Sequence, residues 1–161
     1  MLAIKGENMA KVKVLETNHT GITVQDLDYT IRYFTEVLGY ELIGERAPRG
    51  LANQEKVTGV KGSNVEIAYI KGGGHAIELL QYNGPEDRQV YKPRCVDVGH
   101  WHLSINVDDV DVATDETLKF GGTKVGGQIT VDAGPNKGNK IQYVAIKGGI
   151  IIEMTWIANR A

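Results

Sequence analysis

The amino-acid sequence predicts an α+β fold made of two βαβββ modules, and its 161 residues suit one compact domain. Apolar residues alternate along several short runs, as in strands, and fall at helical spacing in two others. Twenty glycines, many in pairs or triples, suit tight turns between strands rather than a helical bundle. The second half of the chain also repeats the order of the first half.

The first predicted module covers residues 12–82. Val12–Val24 alternates like a strand, and the apolar residues after Asp26 fall on one face of a helix. Asp26 is the predicted N-cap, and Gly39 stands where a helix ends in a left-handed residue. The apolar helix face consists of Leu27, Ile31, Phe34 and Leu38. The strands predicted after the helix are Tyr40–Arg46, Asn64–Lys71 and Ala76–Tyr82.

The second predicted module covers residues 100–157 and repeats this order. Residues 83–99 form the linker, because they are polar and include two prolines. Residues 1–10 are predicted to be a flexible N-terminal tail, which leaves a single domain at residues 11–161. The elements predicted for the second module are strand Trp101–Val107, a helix from about Asp109 to Phe120, and strands near Gly127–Val131, Lys140–Lys147 and Ile150–Trp156.

The two modules repeat their polar residues as well as their element order. His19 and the alternating run after it overlay His102 and the run after that residue. The stretch IKGG occurs in both halves, each time before a short apolar strand that contains one glutamate. These glutamates are Glu78 and Glu153. The repeat therefore places one histidine and one glutamate at matching positions in each half.

These four residue types together predict a metal site. Strand alternation places each histidine on the sheet face turned away from the covering helix. A carboxylate in an apolar strand needs a partner, because an unpaired buried charge costs several kcal/mol. Two imidazoles and two carboxylates are a mixed nitrogen and oxygen set that suits one divalent ion, namely Zn, Ni, Co, Mn or Fe.

The remaining histidines and the cysteine are weaker candidates. His100 shares a strand face with His102 and competes with it as a ligand, but the repeat favours His102. His75 is interpreted as structural or exposed, and Cys95 as an ordinary thiol. The predicted cavity residues are too generic to identify a substrate: Thr23, Ser104, Asn106 and Tyr143.

Four stretches resemble the vicinal oxygen chelate superfamily, which includes glyoxalase I, methylmalonyl-CoA epimerase, extradiol dioxygenases, and the fosfomycin and bleomycin resistance proteins. They are HTGITVQDLDYTIRYFTEVLGYEL, IELLQY, HLSINVDDVD and IIEM. The resemblance covers about residues 12–156 and implies paired, curved mixed sheets around a metal-binding cavity. Carried over by motif, it implies the ligands His19, Glu78, His102 and Glu153.

The resemblance also implies an enzyme. The expected activity is that of a metal-dependent isomerase or lyase, similar to glyoxalase I or methylmalonyl-CoA epimerase. Such an enzyme acts on a small carbonyl-containing substrate by proton transfer through an enolate or enediolate. Candidate bases are Glu153, Glu78 and Glu55, the last because epimerases carry a catalytic glutamate in their first module. The alternatives are an Fe(II) ring-cleaving dioxygenase, in which Glu78 would not bind the metal, and a drug-binding protein without catalysis.

Composition narrows the range of partners and compartments. A formal net charge of −2 provides no basic field for nucleic acid or an anionic membrane, so the expected partner is a small-molecule substrate. Three cations near Glu55 are candidates to meet an anionic group: Arg46, Arg49 and Lys56. One cysteine, no long apolar stretch and no signal-like N terminus indicate the cytoplasm. Members of the family pair through open strand edges, so we expect a homodimer.

Overall fold

The computed structural model describes residues 11–158 as two modules, each with one sheet. The first contains β1 (Thr20–Thr23), α1 (Leu27–Arg32, continued by a π-helical segment at Tyr33–Val37), β2 (Glu41–Arg49), α2 (Leu51–Thr58), β3 (Val65–Gly72) and β4 (His75–Tyr82). The second contains β5 (Leu103–Asn106), α3 (Val110–Lys119), β6 (Thr123–Thr130), β7 (Lys140–Ile146) and β8 (Ile150–Trp156).

The two sheets have the same strand order. The first sheet runs β1-β4-β3-β2 and the second β5-β8-β7-β6. In each, the first strand of the module lies parallel to the last, while the other pairs are antiparallel. The predicted α+β class with two mixed sheets is confirmed. No helix within residues 11–158 is both long enough and apolar enough to cross a lipid bilayer.

One hydrophobic core joins the two modules. It includes the inner faces of both sheets and the apolar faces of α1 and α3. Tyr33 and Phe34 are fully buried in this core, and the Tyr33 hydroxyl lies 2.9 Å from the Thr117 hydroxyl of α3. Because both inner sheet faces pack on this shared core, the other face of each sheet points away from it.

The predicted helix termini are confirmed. Asp26 caps α1 by accepting a hydrogen bond from the backbone N–H of Tyr29 at 2.9 Å. Asp109 caps α3 by accepting from the backbone N–H groups of Asp111 and Val112. Gly39 has φ +67°, so it adopts the left-handed conformation predicted after the first helix.

The predicted first strand was too long. Val12–Val24 was expected to be one strand, but β1 begins only at Thr20. Its sheet partner is β4, in which Ile77 lies opposite Thr20 and the strand itself begins at His75. Residues before β1 therefore have almost no β4 backbone to pair with, and Val12 is 75% exposed.

Helix α2 was not predicted. Its sequence LANQEKVT lacks an apolar stripe, and Gln54 is its only buried residue. Gln54 donates through Nε2 to the Tyr82 hydroxyl at 2.6 Å, which ties α2 to the outer face of the first sheet. The second module has no corresponding helix between β6 and β7. Strands β2 and β6 are also longer than predicted, each with an irregular register near its middle. The tail predicted at residues 1–10 lies outside the described residues.

Candidate metal centre

His19 and Glu78 form a pair on the outer face of the first sheet. We call this pair, together with Arg49 and Tyr69, the first half-site. His19 directly precedes β1, and Glu78 lies in β4 opposite Gly21. The His19 Nε2 and Glu78 Oε2 atoms are 3.4 Å apart, and Glu78 is only 7% exposed. Gly21 lies beside this carboxylate, and a Cβ atom at that position would make an ordinary van der Waals contact of 3.7 Å with Oε2.

The other oxygen of Glu78 is held by two donors. Arg49 Nη2 donates to Oε1 at 2.8 Å, and the Tyr69 hydroxyl donates to the same oxygen. Tyr69 lies directly opposite Glu78 in the β3–β4 ladder, so strand register brings the two together. The hydrogen bond to Glu78 and then burial raise the pKa of Tyr69, which keeps its hydroxyl protonated as a donor.

The imidazole of His19 is oriented by its neighbour in the chain. Its Nδ1 lies 2.6 Å from the Asn18 side-chain oxygen, an acceptor, which favours the tautomer with the proton on Nδ1. The lone pair of Nε2 then faces the Oε2 oxygen of Glu78. A proton or a metal ion between these two acceptor atoms satisfies both of them.

His102 and Glu153 form the second half-site, with Ser104, Tyr143 and Thr155, on the outer face of the second sheet. His102 immediately precedes β5, and its Nε2 lies 3.2 Å from Glu153 Oε2. The Ser104 hydroxyl donates to Glu153 Oε1 at 2.7 Å, and the Thr155 hydroxyl donates to the same oxygen at 3.1 Å. Tyr143 lies opposite Glu153 in the β7–β8 ladder, as Tyr69 does for Glu78, and its hydroxyl is 3.4 Å from His102 Nε2.

The second half-site holds an ionised carboxylate beside a neutral phenol. Burial alone would raise the pKa of Glu153, but hydrogen bonds from Ser104, Tyr143 and Thr155 and the nearby His102 outweigh it and lower the pKa. Burial, followed by the hydrogen bond with Glu153, raises the pKa of Tyr143 to about 12. At neutral pH, Glu153 is therefore an anion and Tyr143 is protonated.

The two half-sites share one plan and remain separate within a chain. In each, Oε1 of the glutamate accepts hydrogen bonds while Oε2 faces the imidazole Nε2. The structure brings His19 to Glu78 and His102 to Glu153, and these two pairs lie on different sheets. Among residues 11–158, no three histidine, cysteine or acidic side chains are grouped closely enough to hold one metal ion.

The other candidate residues lie outside these pairs or beside them. Glu55, the third candidate base, is in α2 and accepts a hydrogen bond from the backbone N–H of Gly62 at 2.7 Å. His100 stacks on His102 with ring centroids 5.7 Å apart, and neither of its buried ring nitrogens has a hydrogen-bond partner in the described structure. His75 Nε2 lies 2.9 Å from the Thr20 hydroxyl, a contact that joins β4 to β1.

Tyr69 was not predicted from the sequence, and Arg49 was predicted only as a possible contact for an anionic group. The signal for Tyr69 was its place one strand away from Glu78, matching Tyr143 beside Glu153. To recognise that Tyr69 lies opposite Glu78, one needs the register of two strands, and the apolar pattern alone does not determine that register.

Known proteins with similar sequences and structures point to one family. The model of the Glyoxalase/Bleomycin resistance protein/Dioxygenase superfamily matches residues 16–154. A 2-epi-5-epi-valiolone epimerase from Actinomyces sp is 32% identical over 143 residues, covering 85% of this chain and 76% of that protein. The lactoylglutathione lyase of Haemophilus influenzae is 31% identical over 137 residues, covering 84% of this chain and 87% of that protein.

A solved structure gives the same assignment. A glyoxalase family protein from Bacillus cereus superposes with a TM-score of 0.77 at 28% sequence identity, covering 92% of this chain and 98% of that one. The matched residues include His19, Glu78, His102 and Glu153. The resemblance found in the sequence is thus confirmed, and the chain belongs to the Glyoxalase/Bleomycin resistance protein/Dioxygenase superfamily.

Proposed function

We propose that this protein is a divalent-metal-dependent isomerase or lyase that moves a proton next to a carbonyl group of a small substrate. The observation that carries the proposal is the pair of matching half-sites, in each of which a histidine nitrogen faces one free glutamate oxygen. The relatives named as an epimerase and a lactoylglutathione lyase support this class of reaction. With a single cysteine, the chain suits the reducing cytoplasm as its compartment.

The four residues fit a divalent metal. His19 and His102 would supply nitrogen ligands, and Glu78 and Glu153 would supply one oxygen each, a set that suits Zn, Ni, Co, Mn or Fe. The hydrogen bonds on each Oε1 orient these glutamates before any metal arrives. When bound, such an ion polarises a substrate carbonyl and makes the neighbouring C–H bond more acidic.

The active site of the proposed enzyme forms between two chains. Strand β1 pairs only with β4, and β5 only with β8, within the described residues, so each sheet ends in an open edge next to its histidine. Grooves of about 540 Å³ and 570 Å³ run along these two edges. Two-fold pairing of β1 with β5 of a second copy would bring the first half-site of one protomer to the second half-site of its partner.

Glu153 is the base that we propose for the proton transfer. Its carboxylate is ionised at neutral pH and is held by neutral donors only. It takes the proton from the carbon next to the carbonyl, and the electron pair of that C–H bond moves toward the carbonyl oxygen. The same carboxyl group, after its proton has exchanged with solvent, then returns a proton to the neighbouring carbon, whereas inversion at the first carbon requires a second donor on its opposite face. Glu55 is less suitable, because it is engaged with Gly62 in another part of the module.

Deuterium exchange tests this function. Metal-loaded protein in deuterated water is incubated with S-lactoylglutathione, methylmalonyl-CoA or 2-epi-5-epi-valiolone, and deuterium at the carbon next to the carbonyl is followed by NMR. We expect exchange into at least one substrate. Glu153→Gln should slow it by roughly 10²- to 10⁴-fold while leaving substrate affinity largely intact, and the matched control Glu55→Gln should exchange at the wild-type rate.

Two outcomes would contradict the proposal in different ways. Undiminished exchange in Glu153→Gln would exclude Glu153 as the base while preserving the reaction class. Binding of a small molecule with no exchange in the wild-type protein would instead favour a binding protein of the same fold.

A further inference from the structure

We infer that Arg49 is a positioning residue that fixes the orientation of Glu78 in the metal centre, so that the Oε2 atom of Glu78 faces His19. This inference rests on the proposed function. It starts from one difference between the half-sites, which are otherwise built alike: only Glu78 contacts an arginine.

The position of Arg49 lets it act across two strands. It is the last residue of β2, where its backbone pairs with Val65 of β3. Its guanidinium reaches Glu78 on β4, the next strand of the sheet, and forms a salt bridge there. Tyr69 holds the same oxygen from β3. Oε1 is thereby occupied from two neighbouring strands, and Oε2 alone is offered toward His19.

Glu153 is held by uncharged hydroxyl groups. Its Oε1 accepts from the hydroxyl groups of Ser104 and Thr155, and within residues 11–158 no lysine or arginine forms a salt bridge with it. The contact of Arg49 with Glu78 is both a hydrogen bond and an attraction between opposite charges. Turning Glu78 away from Arg49 therefore separates an ion pair, whereas turning Glu153 breaks hydrogen bonds to hydroxyl groups only.

Metal binding measured without turnover tests the inference. We would titrate wild type, Arg49→Met and Arg49→Lys with Co²⁺ and follow its visible absorption against a competing chelator. Because residues that hydrogen-bond to a metal ligand contribute about 10- to 100-fold to affinity, Arg49→Met should bind Co²⁺ at least about tenfold more weakly, with an altered spectrum. Arg49→Lys, which keeps the charge, should restore part of the affinity.

Arg46→Met is the matched control. Arg46 lies on the same strand, but its salt bridges are to Asp28 and Glu66, outside the half-site. It should bind Co²⁺ as the wild type does. Equal affinity and equal spectra for wild type and Arg49→Met would overturn the positioning role while leaving the proposed function intact. A wild-type protein that binds no divalent metal would overturn both.

Discussion

At the scale of single residues, His102 and His100 differ as candidate metal ligands in what their ring nitrogens face. Nε2 of His102 faces the Glu153 carboxylate at 3.2 Å. His100 stacks against it, but neither of its ring nitrogens contacts an acidic group in the described structure. The geometry thus supports the choice of His102 that the repeat alone had favoured.

Replacing each of these histidines separately tests the choice. We expect His102→Ala to lose most of its bound metal and His100→Ala to keep it, because a ligand is removed only in the first case. Metal content is measured by atomic emission after reconstitution and gel filtration. Equal losses in the two variants would mean that His100 also binds the ion.

The sequence predicted the histidines and glutamates as ligands and named Ser104 and Tyr143 as cavity residues, but it did not predict the contacts that hold Glu78. His19, Glu78, His102 and Glu153 were found because a repeat places them at matching positions. Tyr69 and Arg49 reach Glu78 from neighbouring strands, and their contacts depend on strand register and on a side chain that crosses the sheet. Neither strand register nor the reach of a side chain across a sheet produces a repeating pattern of residue types in the sequence.

At the scale of elements, the two helix N-caps differ in one contact between the modules. Lys147, which follows β7, donates to Asp26 at 2.6 Å, whereas Asp109 caps α3 without a lysine or arginine partner among the described residues. The hydrogen bond from Lys147 and then that from the backbone of Tyr29 lower the pKa of Asp26. Asp26 thus stabilises both its own helix and the contact between modules.

Asn in place of Asp isolates the contribution of Lys147. Asn keeps the cap and removes the charge, so Asp26→Asn should lower the free energy of unfolding at pH 7 by about 0.5 kcal/mol more than Asp109→Asn does. Because the native pKa of Asp26 is lowered, its contribution is present above the unfolded value of about 4 and is lost as pH falls through the native value. Urea unfolding at pH 7 and at pH 2 to 3, at one protein concentration, measures both effects. Equal destabilisation of Asp26→Asn and Asp109→Asn at pH 7 would mean that the contact with Lys147 adds no stability.

Helices and strands were predicted well where local sequence signals were strong. They were predicted poorly where neighbouring strands determine the bounds of an element or whether it forms. The N-cap Asp26 and the apolar face of α1 predicted the first helix, and the repeat predicted the second helix from about Asp109. The predicted start of β1 was wrong because β1 begins near the residue opposite the start of β4, and residues 12–19 carry no sign of that limit. Helix α2 was missed because a single buried residue, Gln54, faces the sheet.

At the scale of the whole molecule, the proposed dimer can be tested by mixing two defective proteins. His19→Ala damages only the first half-site and His102→Ala only the second. If each centre combines half-sites from two chains, a mixed dimer contains one intact centre and one centre with both defects. The sequence repeat revealed the two halves of a centre, but it did not show whether one chain or two would complete it.

Metal content after mixing gives the result. Each variant alone should bind little metal, and an equal mixture after subunit exchange should recover about a quarter of the wild-type content, because half of the dimers are mixed and each regains one of two centres. Mixing each variant with itself is the control. No recovery, despite subunit exchange shown by mass spectrometry, would mean that each centre is built within one chain.

Because the two half-sites face outward, the activity of the proposed enzyme would depend on the concentration of the protein. A single chain carries both half-sites but cannot bring them together. If the centre forms only in the dimer, dilution that dissociates the dimer also abolishes the metal centre. Metal binding then strengthens the association of chains by the same free energy with which association strengthens metal binding. At protein levels below the dissociation constant of the dimer, activity would rise with the square of the amount of protein, so that the cell's expression level would set the rate more steeply than it does for a monomeric enzyme.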